Sequence, residues 1–466
     1  MLNQDRANDI FARLRKHASV DEVELLVSHT RHALTRFANN TIHQNVAEES
    51  TSISVRVQMD GKTARATTNK TDDESLRRVV QAAEAMARVQ APDPDLLAMA
   101  TPAEANPDGH GNAPAPTRYF HQTAAITPEQ RADAVAKIVA VAHRNKLTAA
   151  GIFSSGESAE ALVNSRGVSS FHRQTSSEIS ITMLAADSSG WQKANSPDVS
   201  RLDAVALAET AARKAVASAR PREVSPGKYT VVLEPAAVLD LVGFMFYDFA
   251  GQAVLDQRSF LTNRMGKKLF GENITISDDV YHPLQSGAPW DGEGARRQRV
   301  LLVERGTPRN LVYSRGTAKK MKNAPEAASV GEIRVTGHGF PLPNEIGEAP
   351  MNIVFAPPAA GEAKTVDQMI ASTERGVLVT RLWYIREVDP YEKILTGMTR
   401  DGTFVIENGQ IRHGIRNFRF NHSLIHLLSN VEQMGEPVRA SGEESFDMVV
   451  PAMKVRDFNF TEVTRF

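Results

Sequence analysis

Two histidines, His422 and His426, stand four residues apart in the segment NHSLIHLLSN. On a helix capped by Asn421, that spacing puts both imidazoles on one face, which is how a zinc site can be seeded. A metal hydrolase also needs a carboxylate to take a proton from bound water. No carboxylate occurs in the segment before Glu432, and no Glu follows the first His. The simpler reading is a polar stripe opposite Leu424, Leu427 and Leu428. His338 lies between glycines in Gly337-His338-Gly339-Phe340-Pro341. It reads either as a flexible loop tip beside a cleft or as a turn that Gly and Pro already explain. Residues 287–294 (GAPWDGEG) set Trp290 beside Asp291 and Glu293. Such a loop could close over a peptide with Trp290 as a contact surface, although an ordinary surface loop accounts for it more simply. The chain has no cysteine, which excludes disulfides, thiolate metal ligands and a cysteine nucleophile. It also has no Gly-x-Ser-x-Gly elbow, P-loop or dinucleotide glycine fingerprint.

The elements that would position these residues fall into two regions. Near the start, Ile10, Phe11 and Leu14 share one face of a short amphipathic helix. Strand patterns follow at 23–27, 34–38, 41–46, 52–58 and 63–68, the last two joined by an Asp60-Gly61 turn. A helix over 73–89 is capped by Thr71 or Asp72. Residues 92–116, rich in Pro, Ala, Asn, Asp and Gly, read as a loop. Thr127-Pro128-Glu129-Gln130 then opens a second helix, followed by strands at 149–153, 158–164, 168–174 and 177–186 and an alanine-rich helix over 203–219. The linker RPREVSPGK at 220–228 precedes a strand at 229–233 and an apolar helix over 235–249. Clear strands beyond it are 300–303, 352–355, 377–385, 403–407 and 448–455, with Asp401-Gly402 and Asn408-Gly409 as meander turns.

The expected fold is α+β, with an α/β N-terminal region of two helix–sheet units ahead of a β-rich C-terminal domain. Its units are 1–91, a linker at 92–126, a second unit at 127–220 that packs with the first, and 221–466. A chain of 466 residues exceeds the roughly 100–200 residues of one ordinary domain.

Four segments together resemble the TldD/PmbA (modulator of DNA gyrase) family. They are TRFANNTIHQN with SISVRVQMDGKTARATTN, ALVNSRGVSSF, GKYTVVLEPAAVLDLVGFMFYDFAGQAVLDQRSFL, and TRDGTFVIENGQIRHGIRNFRFNHSLIHLLSN, in the family's order. The resemblance implies a two-lobed subunit, dimer formation and, in one branch, zinc-dependent cleavage of unfolded peptides. That branch carries His-Glu-x-x-x-His on the central helix and a cysteine ligand further on. This chain departs at each point. The corresponding helix has neither His nor Glu, and Asp240, Leu241, Phe246 and Asp248 mark the degenerate segment. Asp240 and Asp248 lie about two helical turns apart, too far to chelate one ion by themselves. The departure resembles the TldE (PmbA) branch, which lacks the metal motif and pairs with a catalytic TldD-type subunit.

These expectations amount to no catalytic residue, cofactor or metal in this chain, with zinc in a TldD-like partner. The partners implied are that subunit or a second copy of the chain, and unfolded peptide. One alternative is a metallopeptidase with a relocated site drawn from His338, His422 and His426. Another is a scaffold or regulator linked to gyrase. Lys+Arg 54 against Asp+Glu 55 offers no chain-wide field for nucleic acid. Arg296, Arg297 and Arg299 are the nearest approach to a basic patch and read as a solvated turn. No stretch reaches the roughly 20 apolar residues of a membrane span, and the charged first helix does not look like a signal peptide, so a cytoplasmic protein is expected.

Overall fold

The computed structural model describes residues 2–106 and 116–464; residues 107–115, within the expected linker, lie outside the described residues. Six antiparallel strands form the N-terminal sheet: β1 (Glu22–Ala38), β2 (Thr41–Met59), β3 (Lys62–Thr68), β4 (Thr148–Asn164), β5 (Ser169–Leu184) and β6 (Ser189–Ser196). Their order is β3-β2-β1-β4-β5-β6. β1 pairs with β4 from Glu24↔Asn164 to Phe37↔Gly151, so strands from both ends of the N-terminal region share one sheet.

β1 and β4 are each continuous over 17 residues where the sequence patterns suggest two short strands apiece. Partial covering of the sheet explains the difference. Helices α1 (Gln4–His17) and α2 (Asp73–Val89) cover one end, burying Val23, Leu25, Val27, Ile53, Val55 and Val57. Helices α3 (Pro128–Arg144) and α4 (Ala204–Ala217) cover the other end over Phe37, Ala149, Phe153, Ile179 and Ile181. All these strand residues have odd numbers, which places both helix pairs on one face of the sheet. Between them Thr30, Arg31 and His32 are exposed, so the strand there carries no apolar alternation. α3 starts as its sequence demands: Thr127 and Gln130 form a reciprocal cap and Pro128 occupies the first turn.

The opposite face meets the C-terminal lobe, where Leu26, Leu162 and Val168 pack with Trp290. That lobe begins with β7 (Gly227–Leu233) and, among the described residues, contains two sheets. In the nine-stranded sheet, β7 lies between Met453–Val463 and Arg375–Val379. The six-stranded sheet runs from Thr307–Pro308 through Val300–Glu304, Ile276–Asp278, Ile353–Phe355 and Met448–Val450 to Val438–Ala440. Their common core encloses the central helix, with Val238, Leu241, Val242, Phe246 and Phe249 inside it. The fold is α+β.

Two expected strands are divided. Residues 377–385 split into Arg375–Val379 and Leu382–Asp389, which sit at separate places in the nine-stranded sheet. At the break, Thr380 Oγ1 donates to Gly402 O at 3.0 Å and Arg381 Nη1 bonds Asp401 Oδ2 at 2.7 Å, so polar groups turn the chain. Residues 448–455 split into Met448–Val450 and Met453–Val463, which belong to different sheets. Pro451 stands between them and has no N–H for a ladder.

The contact of β6 with α4 leaves no room at Gly190, where an added Cβ would meet Ala211 O and Ala215 N. Gly190→Ala is therefore expected to cost about 1–3 kcal/mol, read as a lower denaturation midpoint than the wild type. An unchanged midpoint would show that α4 can move away freely.

Candidate functional site

β7 delivers Glu234 and Pro235 into helix α5 (Pro235–Val242), with Pro in the first turn where its missing N–H is harmless. Lys214 on α4 reaches Glu234 Oε2 at 2.6 Å and ties the helix start to the N-terminal lobe. The single helix expected over 235–249 is instead α5 followed by a tighter 3₁₀ segment, Gly243–Phe249. The change falls at Gly243, where the backbone lies so close to Ser445 that a Cβ would collide with its side chain.

The two carboxylates of this segment have separate surroundings. Asp240 is fully buried, and its Oδ1 accepts from the backbone N–H groups of Glu443 (3.1 Å) and Glu444 (3.0 Å). Its Oδ2 has no partner. Burial raises this carboxyl to about 7, against the opposing pull of those two N–H groups. Asp248 Oδ2 pairs with Lys393 Nζ at 2.5 Å, and its Oδ1 accepts from Phe260 N at 3.0 Å. Burial raises Asp248 too, and the Lys393 charge works against that rise.

Lys393 is 3% exposed, in the turn between Leu382–Asp389 and Ile394–Thr399. Its ammonium also donates to Glu387 Oε1 at 2.7 Å and Phe244 O at 3.2 Å, so three acceptors engage its three hydrogens. Above this group opens a cavity of about 710 Å³, lined in part by Phe244, Tyr247, Glu345, Glu387, Glu444 and Phe446.

These donors do not suit zinc. Leu241 and Phe246 offer no ligand atom, Asp240 is turned to backbone N–H groups, and Asp248 is already neutralised by a fixed cation. The three histidines do not converge either. His338 is buried in the other sheet's surroundings, with Nε2 2.9 Å from Asp278 Oδ1 and Nδ1 3.0 Å from Thr336 Oγ1. The backbone turns at Gly337 (φ 70°), as Gly and Pro imply, with the His338 ring folded inside rather than at a loop tip. Burial lowers the pKa of the His338 ring, against the opposing pull of the Asp278 charge. Burial opposes the Asp278 charge, but the His338 ring, Arg297 and backbone N–H groups outweigh it and hold this carboxyl at about 2. Arg297, expected to be solvated, has a side chain only 12% exposed and lies 3.9 Å from Asp278.

His422 is on strand Phe418–Ser423 and His426 on the short helix Leu424–Ser429, so they do not share the helix expected of them. Ser423, not Asn421, is its cap, accepting from His426 N. The rings come within 5.3 Å between centroids, while His422 packs on Phe458. Burial and the neighbouring His426 lower His422 to about 4. Among the described residues, no group of three or more His, Asp or Glu is placed to hold a metal ion. The 287–294 loop is drawn inward as well: Asp291 and Glu293 are buried, and Asp291 accepts from the N–H groups of Glu293, Ala295 and Gly339.

The C-terminal lobe, over residues 226–462, matches the family model of the PmbA/TldA metallopeptidase C-terminal domain. Domain 1 of the same family matches at 23–87 and its central domain at 123–219. The chain belongs to the PmbA/TldD family. Among its relatives, "Metalloprotease PmbA" of Escherichia coli O157:H7 is 22% identical over 82% of this chain and 80% of that protein. TldE from Thermococcus kodakarensis superposes with a TM-score of 0.82 at 18% identity, over 98% of this chain and 99% of its own. A putative modulator of a DNA gyrase from Thermotoga maritima also gives 0.82, at 19% identity over 98% and 100%. Proteolysis is the chemistry of the PmbA/TldD family.

The Lys393 ammonium was missed in the sequence because its partner Phe244 lies 149 positions away and no local pattern links them. Removing it strands a buried carboxylate. Lys393→Met is expected to lose about 3–5 kcal/mol of stability, part of which Asp248→Asn should restore in the double variant. Chemical denaturation of the single and double variants measures both effects. Asp240 adds a pH dependence. The unfolded carboxyl ionises near 3.8 and the folded one near 7. Stability from this group is complete below pH 4 and falls as pH rises through 7, by at most about 4 kcal/mol. Asp240→Asn should flatten that part of the stability–pH curve, and equal slopes for the two proteins would refute the assignment.

Proposed function

We propose that this chain is the non-catalytic subunit of a TldD/TldE-type metallopeptidase complex that acts on unfolded peptides in the cytoplasm. Zinc and the attacking water would come from a TldD-like partner subunit. The observation that carries this reading is the Lys393 ammonium against Asp248, at the helix where metal-bearing relatives are expected to place His-Glu-x-x-x-His. A site that already holds a fixed cation, and has no imidazole or thiolate, is suited to shaping a chamber rather than to activating water.

The peptide-handling part draws on the N-terminal sheet. β2 pairs with β3 only from Ile53↔Thr68 to Met59↔Lys62, so its first half, from Thr41 to Ser52, presents an outer edge without a partner among the described residues. Such an edge can accept an extended chain by backbone hydrogen bonding, with little demand on sequence. Among the described residues no helix is long and apolar enough to cross a membrane. The near-neutral charge gives no support to direct DNA binding under the gyrase-linked alternative.

Co-purification from the native host tests the proposal. The expected result is a TldD-like partner in the complex, chelator-sensitive peptidase activity only in the mixture, and no stoichiometric zinc in this chain purified alone. A homogeneous active homomer, or near-stoichiometric zinc in the isolated chain, would overturn it.

A further inference from the structure

The cavity beside the 3₁₀ segment Gly243–Phe249 has charged groups and an apolar rim that the partner role does not explain. Asp248, Glu345, Glu348, Glu387 and Glu444 line it against Arg258 and Lys393. Some of these charges are already committed. Asp248 and Glu387 hold Lys393. Glu348 is buried and accepts from Gln252 N at 2.8 Å and Ser314 N at 3.1 Å. Arg258 pairs at 2.5 Å with Asp256, which does not line the cavity. Glu444 accepts from Tyr384 N at 2.6 Å, and its other oxygen lies 3.8 Å from Arg386. Glu345 is exposed and makes no hydrogen bond or ion pair among the described residues. Glu345 is thus the lining carboxylate left without a partner among the described residues, free to meet an incoming cation.

Two exposed large apolar side chains share the lining with that acid. Tyr247 is 50% exposed and Ile346 55%, and both line the cavity. Tyr247 and Ile346 therefore give the cavity an exposed apolar rim of the kind that marks an interaction surface. A volume of about 710 Å³ falls in the range that buries a ligand rather than a flat protein face.

We propose that this cavity binds an extended peptide segment in which a lysine or arginine is flanked by apolar side chains. The cation pairs with Glu345, and the apolar neighbours cover Tyr247 and Ile346. Electrostatics then selects the segment and apolar burial retains it. This rests on the reading of the chain as a peptide-handling subunit and adds the class of peptide it prefers.

Fluorescence anisotropy on the full chain tests the idea with two labelled unstructured peptides. One interleaves Lys and Arg with Leu and Phe; the other carries Glu in place of each basic residue. The basic peptide should bind roughly tenfold tighter or more, with the advantage shrinking as salt is added. Glu345→Lys and Tyr247→Ala should each weaken it several-fold, while both variants keep the wild-type thermal midpoint. Equal affinity for the two peptides, or affinity unchanged in both variants, would overturn the preference and leave the peptide-handling role standing. Absence of binding to either peptide would overturn both. Competitive displacement of the basic peptide by a TldD-like subunit would assign the cavity to the subunit interface and sink the proposal.

Discussion

A carboxylate placed on a buried helix needs either a countercharge or a proton, and the central helix of this protein uses both solutions. Asp248 takes the countercharge from Lys393, while burial leaves Asp240 protonated to about pH 7. The consequences extend outward. Lys393 also bonds Glu387 and the Phe244 carbonyl, so one ammonium joins the turn before Ile394–Thr399 to the 3₁₀ segment of the helix. Asp240 holds the backbone at Glu443 and Glu444, and Glu444 in turn bonds Tyr384 N. The cavity's two walls therefore depend on the pairing of the helix acids.

The two lobes are joined in a similar way, by directed polar contacts beside a small apolar cluster. Buried Glu24 bridges Arg56 at 3.1 Å and Arg65 at 2.7 Å, and Arg65 also donates to Leu342 O across the interface. Arg118 donates to the carbonyls of Val280, His282 and Pro283. Lys214 bonds Glu234 at the head of α5, and Asn195 bonds Asp447 at 2.6 Å. Hydrogen bonds to charged groups are directional, so contacts of this kind fix orientation as well as contributing stability. The free edge of β2 and the mouth of the cavity are consequently presented by one framework.

Local signals in the sequence were readable where a single element satisfies them. The Thr127 cap with Pro128 behind it, the Asp72 cap of α2 and the apolar face of α1 are of that kind. Strand continuity through residues 28–33 was not, because helices cover only the ends of the sheet and the middle has no apolar side to betray it. His422 and His426 look like neighbours on a helix, yet tertiary pairing with Ile394–Thr399 pulls His422 into a strand. The absence of imidazole and thiolate from the degenerate helix was legible as composition. Lys393 was not, since the reason for its burial is a carboxylate far away in the chain.

That hidden cation sets what the site beside Asp248 can hold. An ammonium supplies a positive charge and three donors to the carboxylates and carbonyl beside it, which is enough to keep a buried acid from destabilising the core. It has no open coordination position and cannot lower the pKa of a water as a bound dication does. Histidines introduced on α5 would therefore not by themselves create a hydrolytic centre. A dication placed by Asp248 would face Lys393, whose charge already lies 2.5 Å from that carboxylate, and like charges so close in a buried site repel strongly. Metal chemistry at this position would require loss of Lys393 together with gain of ligands. Either change made alone destabilises or repels, so the two arrangements are separated by more than one substitution.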